Sequence, residues 1–391
     1  MDTQNIPVHV RLWNKRFWML AMANLLLAMS SYMLLPVIPL RMKAWGYTHL
    51  QIAWVLGIFF AGLYLFGCMS GYLVQRYRRK NVFCVSTLAL CAVTGVFYYL
   101  NTRPDDSVDY ALLLLLRLLQ GAFYGLSQLV LLGTLIIDTV EAVHRTEANH
   151  AATWFGRFAL ALGPLAGLLV YRHGQFGSVL LLSCACQFLS FIFVGLVRFP
   201  FRMPNEDLHR FSFDRFLLKD SHWLFLNVML VTAAAALVLT LAHSLRFYEF
   251  VMLGFFMALL AERYAFADAD LRSEATTGMT AMGIAVLLLI THSRESVGYI
   301  APLLMGFGIG VTGSRFLLFF IKLSDHCQRG TSQSTYLLAW ETGIGGGLMA
   351  SFGLFNCSPA PVQWTCLGIL AATLILYVAF VHKWYIAHKN R

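Results

Sequence analysis

The sequence predicts an all-α membrane protein with about twelve transmembrane helices in two pseudo-symmetric six-helix bundles. Its composition, a series of long apolar runs and a weak internal repeat together predict this fold. Of the 391 residues, 59% are hydrophobic and only 12% are charged, about half the charge of ordinary soluble domains. Such a chain has too few polar residues to cover the surface of soluble domains.

The apolar runs indicate how many helices cross the membrane. A helix needs about 20 largely apolar residues to span the hydrocarbon core of a bilayer. Runs that approach this length lie near residues 17–39, 50–73, 82–100, 110–137, 151–171, 178–198, 223–243, 247–267, 275–291, 298–321, 332–355 and 362–386. The first run is too long for the core of a signal peptide, and Pro36 and Pro39 are expected to end it. The longest interruption, 199–222, is the predicted linker between the domains 1–198 and 223–391.

The basic residues predict the orientation of these helices. The formal net charge is +10, but the lysines and arginines do not form one face, so we do not expect nucleic-acid binding. With the amino terminus inside, 20 of them fall in cytoplasmic segments, six in external segments and three within helices. The excess of basic residues on the cytoplasmic side predicts that both termini lie in the cytoplasm and that the bilayer is the cytoplasmic (inner) membrane.

A weak repeat relates the two halves. Arg145 precedes the fifth apolar run as Arg329 precedes the eleventh, and twelve residues beyond each arginine lies a charged residue, Arg157 or Glu341. Six residues further on, each half has a glycine, and the motifs GAFYG (121–125) and GFGIG (306–310) occupy corresponding positions in the fourth and tenth runs. Matching offsets in a layout of six plus six helices favour a duplicated unit.

Three motifs resemble those of the major facilitator superfamily. They are GYLVQRYRRK (71–80) after the second run, RLLQG (117–121) with Gly125 in the fourth, and LGPLAG (162–167) in the fifth. The resemblance covers nearly the whole chain and implies a secondary transporter in which two six-helix halves alternate access to a small solute. The motif at Arg117 resembles that of proton-coupled members, and Gly163, Pro164 and Gly167 resemble the helix-bending element of antiporters.

The basic loop is a candidate gate. In the family it latches one half of the transporter, and the residues present here are Gly71, Arg76, Arg79 and Lys80. The loop departs from the family at Gln75, where an aspartate is usual, and at Arg78, where a glycine is usual. Asp138, at the end of the fourth run, is a possible substitute partner for the arginines. The alternative is that the loop only anchors this end of the protein on the cytoplasmic side.

Four charged residues lie deep inside apolar runs, namely Arg117, Arg157, Arg315 and Glu341. Each costs about 2.5–3.5 kcal/mol on insertion scales unless it faces a partner or a polar cavity. The excess of arginine favours an anionic solute, and Glu341 is the candidate proton carrier. The alternative is a permanent ion pair, of Glu341 with Arg157 or Arg315, that holds helices together.

Polar and aromatic residues near these charges are candidates for the wall of the pathway. They are Asn24, Tyr32, Tyr124, Gln128, Trp154, Tyr336 and Trp340. Each is also compatible with simple packing between helices. A run of glycines, Gly343 with 345–347, is expected to let the eleventh helix pack closely or bend.

The sequence favours proton-coupled efflux of a small organic solute. Proton-coupled uptake of an organic anion is the alternative. A membrane-embedded transferase is a weaker one, since the histidines are isolated and no CxxC motif occurs among the eight cysteines. A receptor or scaffold would have no need to retain buried charges. We expect no cofactor, no metal and no catalytic residue; the partners are the solute, protons and the lipid bilayer, and the protein is expected to function as a monomer.

Overall fold

Twelve long helices form the part of the protein that the structure describes. The structure, a computed structural model, describes residues 12–102, 108–200, 209–242, 244–266, 269–292 and 294–390. We number the helices within these residues α1 to α12 in chain order. Their bounds are Lys15–Ala44, His49–Arg76, Arg79–Asn101, Tyr110–Asp138, Arg145–His173, Phe176–Leu196, Lys219–Thr240, Leu245–Tyr264, Leu271–Thr291, Val297–Leu323, Arg329–Gly353 and Pro359–His388.

All twelve helices are long enough to cross a membrane. Ten of them are also sufficiently apolar over an 18-residue window. The other two are α8, which has 20 residues and carries charges near both of its ends, and α11, which has 25 residues and begins with a polar stretch. At about 1.5 Å per residue, 20 residues extend about 30 Å, the thickness of the hydrocarbon core. The chain is therefore a multi-pass membrane protein.

The two halves pack their helices in the same way. In the first half α1 contacts α5 and α6, α2 contacts α4, and α3 contacts α4 and α6. In the second half the same contacts join α7 with α11 and α12, α8 with α10, and α9 with α10 and α12. Between the halves, α2 packs on α11 and α5 packs on α8. This confirms the predicted pair of pseudo-symmetric six-helix bundles. The exact domain limits, 1–198 and 223–391, remain a prediction, and α7 begins within the predicted linker.

Burial separates inner helices from outer helices. The apolar windows of α1, α4, α7 and α10 are 72, 83, 67 and 78% buried, whereas those of α3, α6, α9 and α12 are 39, 39, 44 and 28% buried. The outer helices expose large apolar side chains such as Val85, Leu181 and Trp364. In a membrane protein this surface contacts lipid, so the polar site must lie among the inner helices.

The helices alternate in direction, so their connections gather at two ends. The basic face contains the connections that follow α2, α4, α6, α8 and α10, and the opposite face contains those that follow the odd-numbered helices. Lys80 donates to the carbonyls of Gly195 and Val197 at the basic face. Tyr47 donates to the carbonyl of Val108 at the opposite face.

The first helix does not end at its prolines. It breaks at Met33, and a second segment, Leu34–Ala44, continues beyond Pro36 and Pro39. The break packs on α5, where a Cβ on Gly167 would lie 2.4 Å from the carbonyl oxygen of Met33 and a Cβ on Gly163 would lie 3.0 Å from its nitrogen. Because α5 is continuous through Pro164, the observed role of these glycines is close approach of two backbones.

Two neighbouring glycines of α11 provide a test of this packing. A Cβ on Gly347 would lie 2.3 Å from the carbonyl oxygen of Ala233 in α7, whereas a Cβ on Gly346 would meet nothing within 4 Å. Overpacking costs about 1–3 kcal/mol, while an alanine in an open helical position gains up to about 1 kcal/mol over glycine.

We therefore expect Gly347→Ala to lower the thermal unfolding temperature of the purified protein and Gly346→Ala to leave it unchanged or raise it. Intrinsic tryptophan fluorescence during heating measures both. Equal unfolding temperatures for the two variants would show that α7 and α11 are not in close contact.

Candidate functional site

A small polar cavity lies between the two halves, surrounded by α1, α4, α5 and α11. Its volume is about 20 Å³, which is room for about one water molecule. Seven of the residues expected to line the pathway do line this cavity, namely Asn24, Tyr32, Gln128, Arg157, Tyr336, Trp340 and Glu341. Tyr124 and Trp154 contact members of this set, as described next.

Glu341 joins the two halves through hydrogen bonds. The residue is 1% exposed, and its Oε1 accepts from the hydroxyl of Tyr32 in α1 at 2.7 Å and from that of Tyr124 in α4 at 3.2 Å. Its Oε2 has no hydrogen-bond partner among the described residues. Burial of an ionised carboxylate without a counter-ion is costly. One oxygen of this buried carboxyl group is therefore available to a ligand in the cavity.

Arg157 lies in a cage of aromatic rings. The residue is 2% exposed, and its Nη2 donates to the hydroxyl of Tyr336 at 3.1 Å. Its guanidinium carbon is 4.9 Å from the ring centroid of Trp154 and 6.0 Å from those of Tyr336 and Trp340. The other donors, Nε and Nη1, have no partner among the described residues. Nε and Nη1 lie on different edges of the guanidinium, so each is available for a separate charge-assisted hydrogen bond to an anionic group.

Arg157 and Glu341 line the same cavity but do not pair with each other. Within the part of the chain that the structure describes, no ion pair joins them. Each instead bonds to tyrosine and leaves polar atoms unused. The permanent ion pair considered from the sequence is thus not present in this conformation, and both groups remain free to contact a solute or a proton.

Arg315 does not reach the cavity. Its Nε and Nη2 donate to Oε2 of Glu274 in α9, and the carboxylate side chain is 3% exposed. Glu274 is thus a second buried carboxylate of the described helices, in the first turn of α9, whereas Glu341 lies near the middle of α11. Because Glu274 neutralises Arg315 within the second half, the positive excess near the cavity is smaller than the sequence indicated.

Arg117 also lies outside the cavity. It is fully buried within the first half, where its Nη1 donates to Gln120 at 2.9 Å and its guanidinium carbon is 4.4 Å from the ring centroid of Phe59. Gln120 in turn donates to Thr94 of α3. These contacts join α2, α3 and α4, so in this conformation Arg117 links helices of the first half; a role in the pathway stays a prediction.

A second polar cluster, which sequence reasoning missed, adjoins the arginine cage. Oε2 of Glu262 in α8 accepts from the indole of Trp154 at 3.3 Å and lies 3.6 Å from Nε2 of His150. That ring also contacts the hydroxyl of Ser314 in α10. His150, Trp154 and Arg157 are spaced four and three residues apart, which places them on one face of α5. This spacing is visible in the sequence and could have predicted that His150 lies close to Trp154 and Arg157.

Two contacts occupy the basic face at the predicted gating loop. Arg79 and Asp138 form an ion pair between the start of α3 and the end of α4. Lys80 binds the carbonyls at the end of α6. A Cβ on Gly71 would lie 2.9 Å from the carbonyl oxygen of Asp214, so this glycine admits a neighbouring segment. A gating role for Gly71, Arg76, Arg79, Lys80 and Asp138 stays a prediction.

The neighbouring segment, residues 209–218, is the part of the connection that leads into α7, and we call it the strap. It is held by both halves: Ser212 N donates to the carbonyl of Cys68 in α2, and Leu218 N donates to Oγ1 of Thr335 in α11. Phe216 is 2% exposed, and its ring packs on Tyr64 and against Gly67. The strap therefore fills the seam between α2 and α11.

Other contacts between the two halves close the end of the protein at the basic face. A Cβ on Gly330 of α11 would lie 2.5 Å from the carbonyl oxygen of Gly133 in α4, and Gln333 donates to Thr153 of α5 at 2.9 Å. Together with the strap, these contacts separate the cavity of Glu341 from the basic face.

Comparison with known proteins identifies the family. The sequence profile of the Major Facilitator Superfamily matches residues 20–356. Among curated proteins, none matches the chain significantly.

Solved structures of transporters are similar in fold. The nucleoside transporter NupG has a TM-score of 0.66 at 11% identity, covering 93% of this chain and 99% of that one. The human organic anion transporter MFSD10 (TETRAN) has 0.69 at 15% identity, covering 92% and 98%. The E. coli fucose:proton symporter FucP has 0.65 at 14% identity, covering 94% and 98%.

At these identities the structural likeness establishes the fold. The family profile, which spans most of the chain, and the twelve-helix architecture indicate a membrane transporter of small solutes rather than the embedded transferase considered from the sequence. The chain belongs to the major facilitator superfamily.

Proposed function

We propose that the protein is a secondary active transporter that moves a small organic anion together with a proton by alternating access. One observation carries the proposal: Arg157 and Glu341 line one cavity between the halves, each has unused buried polar atoms, and they are not paired with each other. Such a cavity provides one site for an anionic group and one for a proton.

Arg157 is the proposed anion site. Its cage of three rings holds the guanidinium away from water, where a charge-assisted hydrogen bond is strongest. Nε and Nη1 are the unused donors, and a carboxylate of the solute would accept from either of them, together with Nη2 when Tyr336 gives up its bond. The rings of Trp154, Tyr336 and Trp340 would contact the apolar part of such a solute.

Glu341 is the proposed proton site. An anion bound beside Arg157 adds negative charge close to Glu341 and so favours its protonated form. By thermodynamic reciprocity, a proton on Glu341 favours binding of the anion to the same extent. The two ligands therefore bind together and cross together, which is the condition for symport.

Proton-driven efflux is the second candidate. It is supported by Gly163, Pro164 and Gly167, which resemble the element of antiporters. Gly163 and Gly167 lie against the break of α1 at Met33. In that case a solute competes with the proton for Glu341, and the two move in opposite directions. The names of the structural relatives, an organic anion transporter and a fucose:proton symporter, do not decide between these candidates.

The orientation belongs to the same proposal. We place the basic face in the cytoplasm, with both termini, because 20 lysines and arginines fall on that side against six on the other. The membrane is then the cytoplasmic (inner) membrane. A monomer suffices, since both halves of the cavity come from one chain.

The direction of proton movement tests the proposal. Purified protein in proteoliposomes that enclose a pH-sensitive dye is exposed to aliphatic and aromatic carboxylates and sulfonates, in the absence of an imposed gradient. We expect the lumen to become acidic when a transported anion is added, because a proton enters with it. A lumen that becomes alkaline would indicate antiport, and uptake of labelled solute without any pH change would exclude proton coupling.

A further inference from the structure

A larger cavity lies between the halves at the opposite face. Its volume is about 280 Å³, and α1, α5, α7, α8 and α11 contribute to its wall. We call it the vestibule and use five of its residues to define it, namely Lys43, Arg172, Tyr248, Leu348 and Cys357.

We propose that the vestibule is an outer binding site that selects amphiphilic organic anions before they reach Arg157. The inference rests on the proposed function and narrows its substrate class to compounds with one anionic group and an apolar body. Position, charge and the chemistry of the wall support it in turn.

The vestibule continues the central cavity along shared helix faces. On α11 the series Glu341, Ile344, Leu348 and Phe352 advances by three or four residues at each step, and all but the first line the vestibule. On α5, Leu168 and Arg172 lie beyond Arg157 in the direction of the opposite face. Residues at such spacing share one helix face, so the vestibule adjoins the central site on its open side.

The charge of the vestibule is positive. Lys43 and Arg172 are exposed and line it, and no carboxylate does so within the part of the chain that the structure describes. Lysine and arginine are scarce on this side, with six residues by sequence, so two of them at one cavity form a local concentration. Their charge raises the local concentration of anions and repels cations.

The wall selects for an apolar body. Apart from the two cations, it is built mainly from leucine, isoleucine, proline and aromatic residues, for example Leu168, Ile344 and Phe352. Ligand pockets usually measure about 300–1,000 Å³, so this cavity fits a small aromatic or short alkyl acid. A sugar, which needs many hydrogen-bond partners, is a poor fit.

Cys357 is a native reporter of this site. It lines the vestibule in the turn before α12. Burial raises the pKa of the Cys357 thiol, while a hydrogen bond from Ser351 and the charge of Lys43 oppose this effect. Replacing Lys43 will therefore alter the intrinsic labelling rate, so protection is expressed for each variant as the ratio of rates with and without ligand.

The test measures labelling of Cys357 by neutral N-ethylmaleimide in full-length protein in nanodiscs, with Cys357→Ser as background. We expect hexanesulfonate to slow labelling several-fold, and hexyltrimethylammonium and glucose to have no effect. The double variant Lys43→Gln with Arg172→Gln should lose the protection. Arg246→Gln should keep the protection and is the matched control. Arg246 lies at the same face as Lys43 and Arg172, with its side chain 70% exposed, but it is not among the residues that line the vestibule.

Two results would overturn the inference: equal protection by hexanesulfonate and hexyltrimethylammonium, or full protection in the double variant. Calorimetric titration of hexanesulfonate into the wild type and the double variant measures the same binding without labelling of Cys357. The vestibule and the proposed proton coupling can fail separately. We expect Glu341→Gln to bind hexanesulfonate in the vestibule as the wild type does. Absence of proton coupling in the wild type would contradict the proposed function and leave this binding unchanged.

Discussion

Replacing Glu341 by glutamine should abolish proton-driven accumulation of the solute while leaving exchange of solute across the membrane intact. Glutamine keeps the size of the side chain, and its amide oxygen still accepts from Tyr32 and Tyr124, the two partners of Oε1. It neither gains nor loses a proton. The variant therefore keeps the cavity but lacks the group that we propose to link the solute to the proton.

The expected magnitude follows from the gradient. One pH unit is worth about 1.4 kcal/mol per proton, or about tenfold accumulation when one proton moves with each solute. In proteoliposomes with Glu341→Gln, the ratio of internal to external solute should stay at about one under the same gradient. Exchange of internal unlabelled solute for external labelled solute should continue, because it needs no net movement of protons.

Glu274→Gln is the matched control for Glu341. Glu274 is also a buried carboxylate of a transmembrane helix, but it pairs with Arg315 away from the cavity. We expect this variant to be less stable and still to accumulate solute in response to a pH gradient. Proton-driven accumulation by Glu341→Gln, or its loss in both variants, would remove the special role of Glu341.

Replacing Arg157 by glutamine should weaken the apparent affinity for an anionic solute by about 10- to 100-fold. A hydrogen bond to a charged group contributes about 1.5–3 kcal/mol, and about 1.4 kcal/mol corresponds to a factor of ten. Arg157→Lys should recover only part of the loss. A lysine keeps the charge but lacks the planar group that lies among Trp154, Tyr336 and Trp340.

The measurement is the KM for anion uptake, with stability followed in parallel by thermal unfolding. Arg117→Lys is the control, because Arg117 is equally buried but contacts Gln120 and Phe59 within the first half. We expect lower stability and an unchanged KM for the folded fraction of this control. Equal increases of KM in the Arg157 and Arg117 variants would place the anion site elsewhere.

The sequence was sufficient for the fold and for much of the central cavity. Hydropathy predicted the helices, and Trp154 was predicted because side chains three residues apart, as Trp154 and Arg157 are, share a helix face. Tyr336 and Trp340, which lie four residues apart, were predicted from their nearness to Glu341 in the sequence.

Other features were out of reach for physical reasons. Depth within an apolar run does not reveal which way a side chain points, so Arg117 and Arg315 could not be separated from Arg157. Glu262 and Glu274 lie near helix ends, where hydropathy does not distinguish a loop charge from a buried one. Pro36 and Pro39 did not end α1. The helix breaks at Met33, about one turn before Pro36, and then continues to Ala44.

The strap has a consequence for the protein at rest. Complete burial of a phenylalanine is worth about 1.5–3 kcal/mol, and Phe216 is buried in the seam by a segment tied to both halves. Because the ring is part of the same chain, its effective concentration at the seam is high, and it rebinds there readily. In a conformation that exposes this ring to water, the loss of its burial corresponds to a factor of about 10 to 100 in population, so we expect the burial of Phe216 to favour a sealed basic face. For the proton-coupled transporter proposed above, we expect this bias to limit the leak of protons when no solute is present.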